Sequence, residues 1–432
     1  MPQRFHLSSR ALRAAVAALA AFALPVSSAG PSAAAPGPAI SEEYFGLHHA
    51  GLHAPGPIGW PQTQVASIRM WDNGVTWREL ETSPGVFRWD RIDAQMAKAR
   101  EAGASVLLVL GQTPRFHASQ KRVAGSYGRG APTMPKSKAV WTRYVKAVAQ
   151  RNLSVWGGIA DFQVWNEANV LPYWAGTPRQ MATLTRWTRA AVRSVDRTAT
   201  VVSPAMVTRL TSQRSWIRTY YKQRLGGRNV SAYSDVLAFH LYPEADGSPE
   251  RSMELLAWVR STLRRYGINK PIWNTEVNYG LIGGPNAGAP ARRISAAKQQ
   301  GNVVRTYVLN AQNGVRRVYW YSWDLLKMAN TSLVEDDRIT LTASGRAYER
   351  TRDWLLGTRP AGCNTTGNGT YVCAFRADSE VRRVVWNPKR QVTYRTPAGT
   401  RTFQSVRSGS ISLGAGQRLT VGPLPVLVRG SR

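Results

Sequence analysis

The chain has 432 residues, of which 43% are hydrophobic and 19% are charged, so it can bury a large core and is too long for one small domain. Its 57 basic and 25 acidic residues give a formal net charge of +32, which can indicate nucleic acid, an anionic surface or an acidic polymer as partner. Because the basic residues are scattered singly and no nucleic-acid-binding motif accompanies them, the pattern argues against nucleic acid.

The first segment shows the order of residues that is typical of a secretory signal. Basic residues precede an apolar run over residues 14–26, and the small residues Ser27 and Ala29 follow it. We predict a signal peptide at residues 1–29 and a protein that is secreted or associated with the cell envelope. The alternative is an uncleaved anchor, but the run is shorter than the roughly 20 residues that span a bilayer, and no later run is long enough. Residues 30–40, rich in Pro, Ala and Gly, are typical of a linker.

From residue 41 to residue 357 the sequence alternates short β-rich runs with helical patterns, several of which end at Gly or Asn. Eight strands, each followed by a helix-length segment, predict an α/β fold, a closed (β/α)8 TIM barrel rather than an open doubly wound sheet. No Gly-rich nucleotide-binding loop follows any of these runs, so nucleotide binding is not expected. The predicted strands are residues 45–52, 67–71, 105–111, 161–167, 200–206, 235–242, 271–277 and 317–323.

Residues 358–432 have a different sequence pattern, in which short strand-like runs are separated by turn residues. This pattern predicts a small C-terminal antiparallel β-sandwich. The two cysteines of the chain, Cys363 and Cys373, both lie here. In an exported protein a disulfide between them is favoured over free thiols or a metal site, because no histidine cluster accompanies them. Few acidic residues occur in this segment, so we expect it to pack on the barrel or bind glycan rather than to carry the active site.

Catalytic side chains in such barrels lie at the C-terminal ends of the strands. Glu167, in VWNEAN, ends the fourth predicted strand, and Glu276, in WNTEVN, lies at the end of the seventh. Because side chains alternate along a strand, an inward Glu276 faces across the barrel mouth. The same alternation allows Arg69, His240 and Tyr242 to converge on one carboxylate.

Two carboxyl groups placed in this way suit the cleavage of a glycosidic bond, in which one protonates the leaving oxygen while the other attacks the sugar carbon. We predict Glu167 as the acid/base, because burial without a cation keeps it protonated. Glu276 is predicted as the nucleophile, because Arg69 and Tyr242 would hold it as a carboxylate. This chemistry requires no metal and no organic cofactor, and we predict none.

Other side chains at the strand ends are candidates for substrate binding. Asn166 is expected to bind a sugar hydroxyl, Trp323 to offer a flat apolar face to a sugar ring, and His240 either to contact the ligand or to support a neighbouring group. His48 and His49 do not predict a metal site, since no carboxylate or third histidine stands at ligand spacing.

Further residues fall near the predicted mouth without a clear role. Asp72, Asp324 and Asn278 either line the mouth or are solvated loop residues. The loop 281–293, rich in Gly, Pro and Ala, is a candidate lid over the cleft or a long connection.

These motifs resemble clan A of the glycoside hydrolases, which are retaining enzymes on a (β/α)8 barrel. The resemblance covers about residues 41–357 and rests on IRMWD, WNEAN, the triplet HLY, WNTEVN and WYSWD. Within the clan the chain is most similar to family 39, which holds β-xylosidases, iduronidases and bacterial exopolysaccharide hydrolases. The resemblance implies acid/base work for Glu167 and nucleophilic work for Glu276. The chain departs from it at Ala168, where many members have Pro, and at Phe116, where Trp is commoner.

The sequence therefore predicts an exported, monomeric, retaining glycoside hydrolase acting on a poly- or oligosaccharide. The positive net charge would suit an anionic glycan such as one containing uronic acid. Two alternatives stay open at this point: a non-catalytic glycan-binding envelope protein on the same barrel, and a transglycosidase with the same residues. Sugar identity, anomeric configuration and exo or endo action are not decided by these residues.

Overall fold

The computed structural model describes residues 37–244, 246–280, 294–324 and 331–431. The predicted signal peptide at residues 1–29, most of the predicted linker and the predicted lid at residues 281–293 lie outside them. Every helix in the described ranges is too short or too polar to cross a membrane.

A curled parallel sheet forms the centre of the first part of the chain. Its strands are β1 (Phe45–His48), β2 (Ser67–Met70), β3 (Ser105–Val109), β4 (Ile159–Gln163), β5 (Thr200–Val202 and Met206–Val207), β6 (Leu237–His240), β7 (Ile272–Val277) and β8 (Val318–Trp320). Neighbouring strands follow one another in chain order, and β8 pairs with β1. β5 has two short segments, of which the first pairs with β4 and the second with β6, so the sheet closes on itself. The predicted (β/α)8 barrel is confirmed.

Helices cover the outer face of this sheet. The strands β1, β2, β6, β7 and β8 are consequently buried at every position, as expected of a parallel sheet covered on both faces. After β1, two 3-10 turns, Ala50–His53 and Gly56–Gly59, stand where a helix would follow. The helices are α1 (Trp77–Leu80), α2 (Asp90–Glu101), α3 (Lys138–Arg151), α4 (Pro178–Arg193), α5 (Thr211–Tyr221), α6 (Pro249–Arg265), α7 (Ala296–Gln312) and α8 (Ala343–Leu355).

Several helices begin at side chains that cap their free N–H groups. α4 starts with a capping box, in which Thr177 accepts from the backbone of Gln180 and the side chain of Gln180 accepts from the backbone of Thr177. Pro178 occupies its first position, where a missing N–H costs nothing. Ser137 caps α3 in a similar way. These caps fix where the helices begin after β3 and β4.

The C-terminal part consists of antiparallel strands in two sheets. The strands are β9 (Arg359–Thr365), β10 (Tyr371–Arg376), β11 (Glu380–Trp386), β12 (Val392–Arg395), β13 (Thr400–Ser405), β14 (Ser410–Ser412), β15 (Arg418–Val421) and β16 (Val426–Ser431). One sheet has the order β9-β10-β11-β16-β13-β14, and the other pairs β12 with β15. Val385, Val421, Val426 and Val428 form a buried cluster between the two sheets, and the predicted β-sandwich is confirmed.

Cys363 and Cys373 lie opposite each other on β9 and β10 and form a disulfide, so the predicted pairing is confirmed. The sandwich packs against α6, α7 and α8. Trp386 Nε1 donates to Glu250 Oε1 at 2.9 Å, and Trp354 Nε1 donates to Gln404 Oε1 at 2.8 Å. α7 is buried at every position from Gln300 to Ala311 because it lies between the barrel and this second layer.

Candidate active site

Arg69, on β2, connects three parts of the barrel mouth. Its Nη1 lies 2.6 Å from Glu276 Oε1, its Nη2 donates to Asn166 Oδ1 at 2.6 Å, and its Nε donates to Gln163 Oε1 at 2.8 Å. The side chain is completely buried. Since each of its three nitrogens has a partner, the guanidinium fixes the positions of β4 and β7 side chains relative to β2. Gln163 was not predicted, and its signal was a polar residue between the apolar residues Phe162 and Val164.

Glu276 lies near the end of β7 with 7% of its side chain exposed. Its second oxygen, Oε2, accepts a hydrogen bond from Tyr242 OH at 3.1 Å. Burial raises the pKa of this carboxyl above its ordinary value, and the negative charges of Glu167 and Asp72 act in the same direction, whereas the permanent charge of Arg69 opposes them. The ion pair therefore favours the ionised form, the form that a nucleophile needs.

Glu167 has a different environment. It lies beyond the end of β4, which stops at Gln163 rather than at residue 167 as predicted. Its φ of 42° is in the left-handed region, a conformation that a non-glycine residue keeps only where its surroundings impose it. The backbone N–H of Ala168 is held by Ala205 O at 3.0 Å. Burial raises the pKa of Glu167 to about 7, against the charges of Arg69 and Arg209. This carboxyl is therefore suited to giving and taking a proton near neutral pH.

His240, at the end of β6, lies between the two carboxyl groups. Its Nδ1 is 3.0 Å from Glu167 Oε1 and 3.3 Å from Glu276 Oε2. Burial lowers the pKa of His240 to about 3, although Glu276 acts to raise it, so the ring is neutral at neutral pH. A proton on Nδ1 then lets the imidazole donate to carboxylate oxygens. Of the two roles that the sequence left open, the structure shows the supporting contact.

The same three groups approach closely enough to be compared with a metal site. One oxygen from each carboxyl and Nδ1 of His240 lie within 4.8 Å of one another. However, the guanidinium of Arg69 already pairs with Glu276 at 2.6 Å, and a second cation beside it would be repelled. Two carboxyls at this spacing, in different environments, fit acid/base and nucleophilic work better.

The two remaining predicted side chains, Asn166 and Trp323, differ in how they relate to the cleft. Asn166 is buried, and because Arg69 holds its Oδ1, its amide nitrogen is left to donate elsewhere. Trp323 is fully buried within the main core, and its contact with sugar stays a prediction. β8 ends at Trp320, so Trp323 lies three residues beyond the strand whose end was predicted at residue 323. Tyr321, with 7% of its surface exposed, donates instead to a carboxylate of the cleft, Asp72, at 2.9 Å.

Two polar residues near the mouth brace loops rather than stand in solvent. Asp324 accepts from the backbone N–H groups of Ala50 and Gly51 and pairs with His49 at 3.1 Å. Asn278 Nδ2 donates to Tyr321 O at 2.6 Å. Both are buried, so the interpretation of these two as solvated loop residues is wrong.

Comparison with known proteins agrees with this geometry. Residues 145–348 match the family model described as glycosyl hydrolase catalytic core, and no curated protein sequence matches the chain. A family 39 glycoside hydrolase from the gut symbiont Bacteroides cellulosilyticus WH2 is 16% identical with a TM-score of 0.68, over 90% of this chain and 81% of that one. A family 39 enzyme from Xanthomonas axonopodis pv. citri is 15% identical with a TM-score of 0.63, over 92% and 95%. A monomeric β-xylosidase from Caulobacter crescentus CB15 is 14% identical with a TM-score of 0.63, over 92% and 97%.

The chain has the fold of these glycosidases, and its residues 145–348 match a glycosyl hydrolase catalytic core, which supports the predicted class, a hydrolase of O-glycosyl bonds. The resemblance to clan A, and to family 39 in particular, that the sequence motifs predicted is confirmed at the level of the fold.

Proposed function

We propose that the protein is an exported retaining glycoside hydrolase that cleaves a poly- or oligosaccharide by double displacement. The observation that carries this proposal is the pair Glu167 and Glu276, of which one oxygen each lies within 4.8 Å of the other across one cleft. Retaining enzymes place their two carboxyl groups about 5 to 5.5 Å apart, because the second attacks the sugar directly, whereas inverting enzymes leave room for a water. The signal-like segment at residues 1–29 supports export.

In the first step Glu276 attacks the anomeric carbon. A bond forms between that carbon and a carboxylate oxygen, and the glycosidic bond breaks as Glu167 gives its proton to the leaving oxygen. The pKa of about 7 keeps a large fraction of Glu167 protonated at neutral pH. Arg69 and Tyr242 hold the two oxygens of Glu276 in place before the attack, so little reorganisation is needed.

In the second step the now ionised Glu167 takes a proton from water, and the resulting hydroxide attacks the anomeric carbon. The bond to Glu276 breaks, and the carboxylate returns to its contacts with Arg69 and Tyr242. His240 Nδ1 hydrogen-bonds Glu167 and lies 3.3 Å from Glu276, so a proton on Nδ1 stabilises negative charge on either carboxyl. Two successive inversions at the same carbon retain its configuration.

Asn166 is positioned to bind the sugar close to the reacting carbon. Its Oδ1 is held by Arg69, which leaves the two N–H donors of the amide for a sugar hydroxyl. A hydrogen bond that tightens as the anomeric carbon gains positive character would contribute to the rate rather than only to binding.

Kinetics of a Glu167→Ala variant on a panel of 4-nitrophenyl glycosides test this division of roles. With this good leaving group, the first step needs little acid catalysis, so we expect the glycosyl-enzyme to accumulate and added azide to restore turnover by forming a glycosyl azide of retained configuration. Asp378→Asn, at an exposed turn of the sandwich, serves as the matched control. Wild-type turnover by Glu167→Ala without azide would contradict the role of Glu167.

A further inference from the structure

A third carboxylate, Asp72, lies on the same cleft and is not used by the double displacement. It follows the end of β2 by two residues. Its Oδ1 accepts from Tyr127 OH, and its Oδ2 accepts from Tyr321 OH at 2.9 Å. With 26% of its side chain exposed, Asp72 is more open than Glu167 at 14% or Glu276 at 7%. Two phenols therefore fix a carboxylate that still presents free lone pairs to the cleft.

Asp72, Tyr127 and Tyr321 form one wall of the cleft. His48 gives independent evidence that this wall contacts a ligand. It ends β1, and because it pairs in register with Arg69, its side chain lies on the same inward face of the sheet. Both ring nitrogens are buried without a hydrogen-bond partner among the described residues, and Nε2 lies 3.7 Å from Asp72 Oδ2. Buried polar atoms are normally satisfied, because leaving them unpaired is costly. A polar group that binds between these side chains would satisfy them.

The position of Asp72 in the barrel assigns it to one half of the substrate. Around the sheet, β8, β1, β2 and β3 are consecutive, and Tyr321, His48, Asp72 and Tyr127 follow or end these strands in that order. Glu167, which protonates the leaving oxygen, follows β4, so the leaving group lies toward β4 and β5. Asp72 therefore faces the sugar that becomes attached to Glu276.

The charges on this wall indicate the chemistry of that sugar. Arg69 is the cation whose charge acts on Asp72, and its three nitrogens are already bonded to Glu276, Asn166 and Gln163. Among the described residues, a sugar carboxylate here would meet Asp72 and Glu276 without a cation released to pair with it, which is unfavourable. A hydroxyl or an ammonium group would instead donate to Asp72.

We propose that Asp72 determines specificity at the reacting position, where it accepts a hydrogen bond from a hydroxyl or ammonium group of the sugar and disfavours a uronic acid. This inference rests on the proposed double displacement. It differs from the anionic substrate that the net charge suggested, since an acidic unit would have to bind outside this position.

Labelling rates with 2-deoxy-2-fluoro glycosyl fluorides isolate this position, because fluoride replaces the leaving-group sugar. The panel consists of matched compounds with a hydroxymethyl, an aminomethyl or a carboxylate group at C5, and of their 3-deoxy and 4-deoxy analogues. The proteins are the wild type, Asp72→Asn and Tyr127→Phe, with the exposed Asp378→Asn as control. Tyr127→Phe retains the carboxylate of Asp72 and removes one of the two hydrogen bonds that hold it. This variant therefore tests the role of Asp72 if Asp72→Asn folds poorly.

We expect Asp72→Asn to slow labelling by the preferred sugar about 10- to 100-fold, as for loss of a hydrogen bond to a charged group, and Tyr127→Phe to slow it less. A sugar that lacks the hydrogen-bond donor for Asp72 should label the wild type more slowly by a similar factor. The same sugar should label Asp72→Asn at an unchanged rate. A general loss of structure would not produce this coupling between the two changes. The donor identified in this way shows whether the group is a hydroxyl or an ammonium. Fastest labelling of the wild type by the uronyl compound, or unchanged labelling of Asp72→Asn, would overturn the inference.

Absence of any adduct on the wild type would contradict the proposed function instead. Calorimetric binding of the same free sugars to the wild type and Asp72→Asn then decides about Asp72 separately. Weaker binding by the variant supports the inference, and equal binding or no binding overturns it.

Discussion

The Nδ1 atom of His240 lies 3.0 Å from Glu167 and 3.3 Å from Glu276, so one neutral imidazole contacts both carboxyl groups. Its proton can follow the negative charge as that charge moves from Glu276 to Glu167 during the proposed reaction. With a pKa of about 3, His240 is neutral and does not serve as the acid, which is a glutamic acid. Its contact with both carboxyls gives this histidine a supporting role in the site.

A His240→Phe variant should therefore affect the two carboxyls without removing either. We expect kcat to fall about 10- to 100-fold, since a preorganised donor is lost. Because the lost hydrogen bond favours ionised Glu167, the pKa of Glu167 should rise. The pH profile of kcat/KM would then extend to higher pH than in the wild type, and an unchanged profile with unchanged kcat would rule out the bridging role.

The pH dependence of the wild type follows from the two carboxyls. Glu167 must be protonated for the first step, so kcat/KM should fall as pH rises through about 7. Glu276 must be ionised, and because its pKa is raised, activity should fall on the acidic side at a pH above the ordinary range of a glutamic acid. Labelling by a glycosyl fluoride, which needs little acid, should persist above pH 7, and a parallel fall there would contradict the assignment of Glu167.

Arg69 is expected to support both stability and activity. Arg69→Met would leave Glu276 buried without its cation and Asn166 and Gln163 without their donor, which should lower the free energy of unfolding by about 3 to 5 kcal/mol. Arg69→Lys keeps the charge but cannot make the three contacts, so we expect a smaller loss of stability with activity still strongly reduced. Denaturant unfolding and kcat/KM measure the two effects, and full activity of Arg69→Lys would show that charge alone is sufficient.

The contact between barrel and sandwich should matter for stability alone. Glu250 pairs with the buried Arg305 at 3.1 Å and accepts from Trp386 Nε1 at 2.9 Å. Glu250→Ala would leave that arginine without its carboxylate, and we expect a loss of about 2 to 4 kcal/mol in unfolding free energy with kcat/KM unchanged. Glu254→Ala, on the same helix but exposed, should change stability by less than about 0.5 kcal/mol. Equal losses of unfolding free energy in the two variants would show that the buried contact of Glu250 does not stabilise the protein more than an exposed one.

Much of this site could be predicted from the sequence because strand periodicity decides it. Arg69, Glu276 and His240 lie within β2, β7 and β6, where alternation and the closed barrel fix which side chains point inward. That is sufficient to bring the guanidinium, the imidazole and one carboxyl together. The C-terminal sandwich could be predicted from the sequence equally well, since its turn residues separate regular strands.

Alternation fails where the strand ends. Glu167 follows β4 by four residues with a left-handed backbone, so its direction depends on the loop and not on the strand. Trp323 was placed by extending β8 past Trp320, and its burial in the core shows the limit of that extension. The wall formed by Asp72, Tyr127 and Tyr321 joins residues that follow three different strands, and no local pattern predicts their approach.

The most direct test of the double displacement is the intact mass of the protein after incubation with a panel of 2-deoxy-2-fluoro glycosyl fluorides, comparing the wild type with Glu276→Gln. We expect one added glycosyl unit on the wild type, located at Glu276 by peptide mapping, and none on the variant. Hydrolysis of a glycoside by the wild type with no adduct from any compound, or an adduct that persists in Glu276→Gln, would contradict the assignment of Glu276 as the nucleophile.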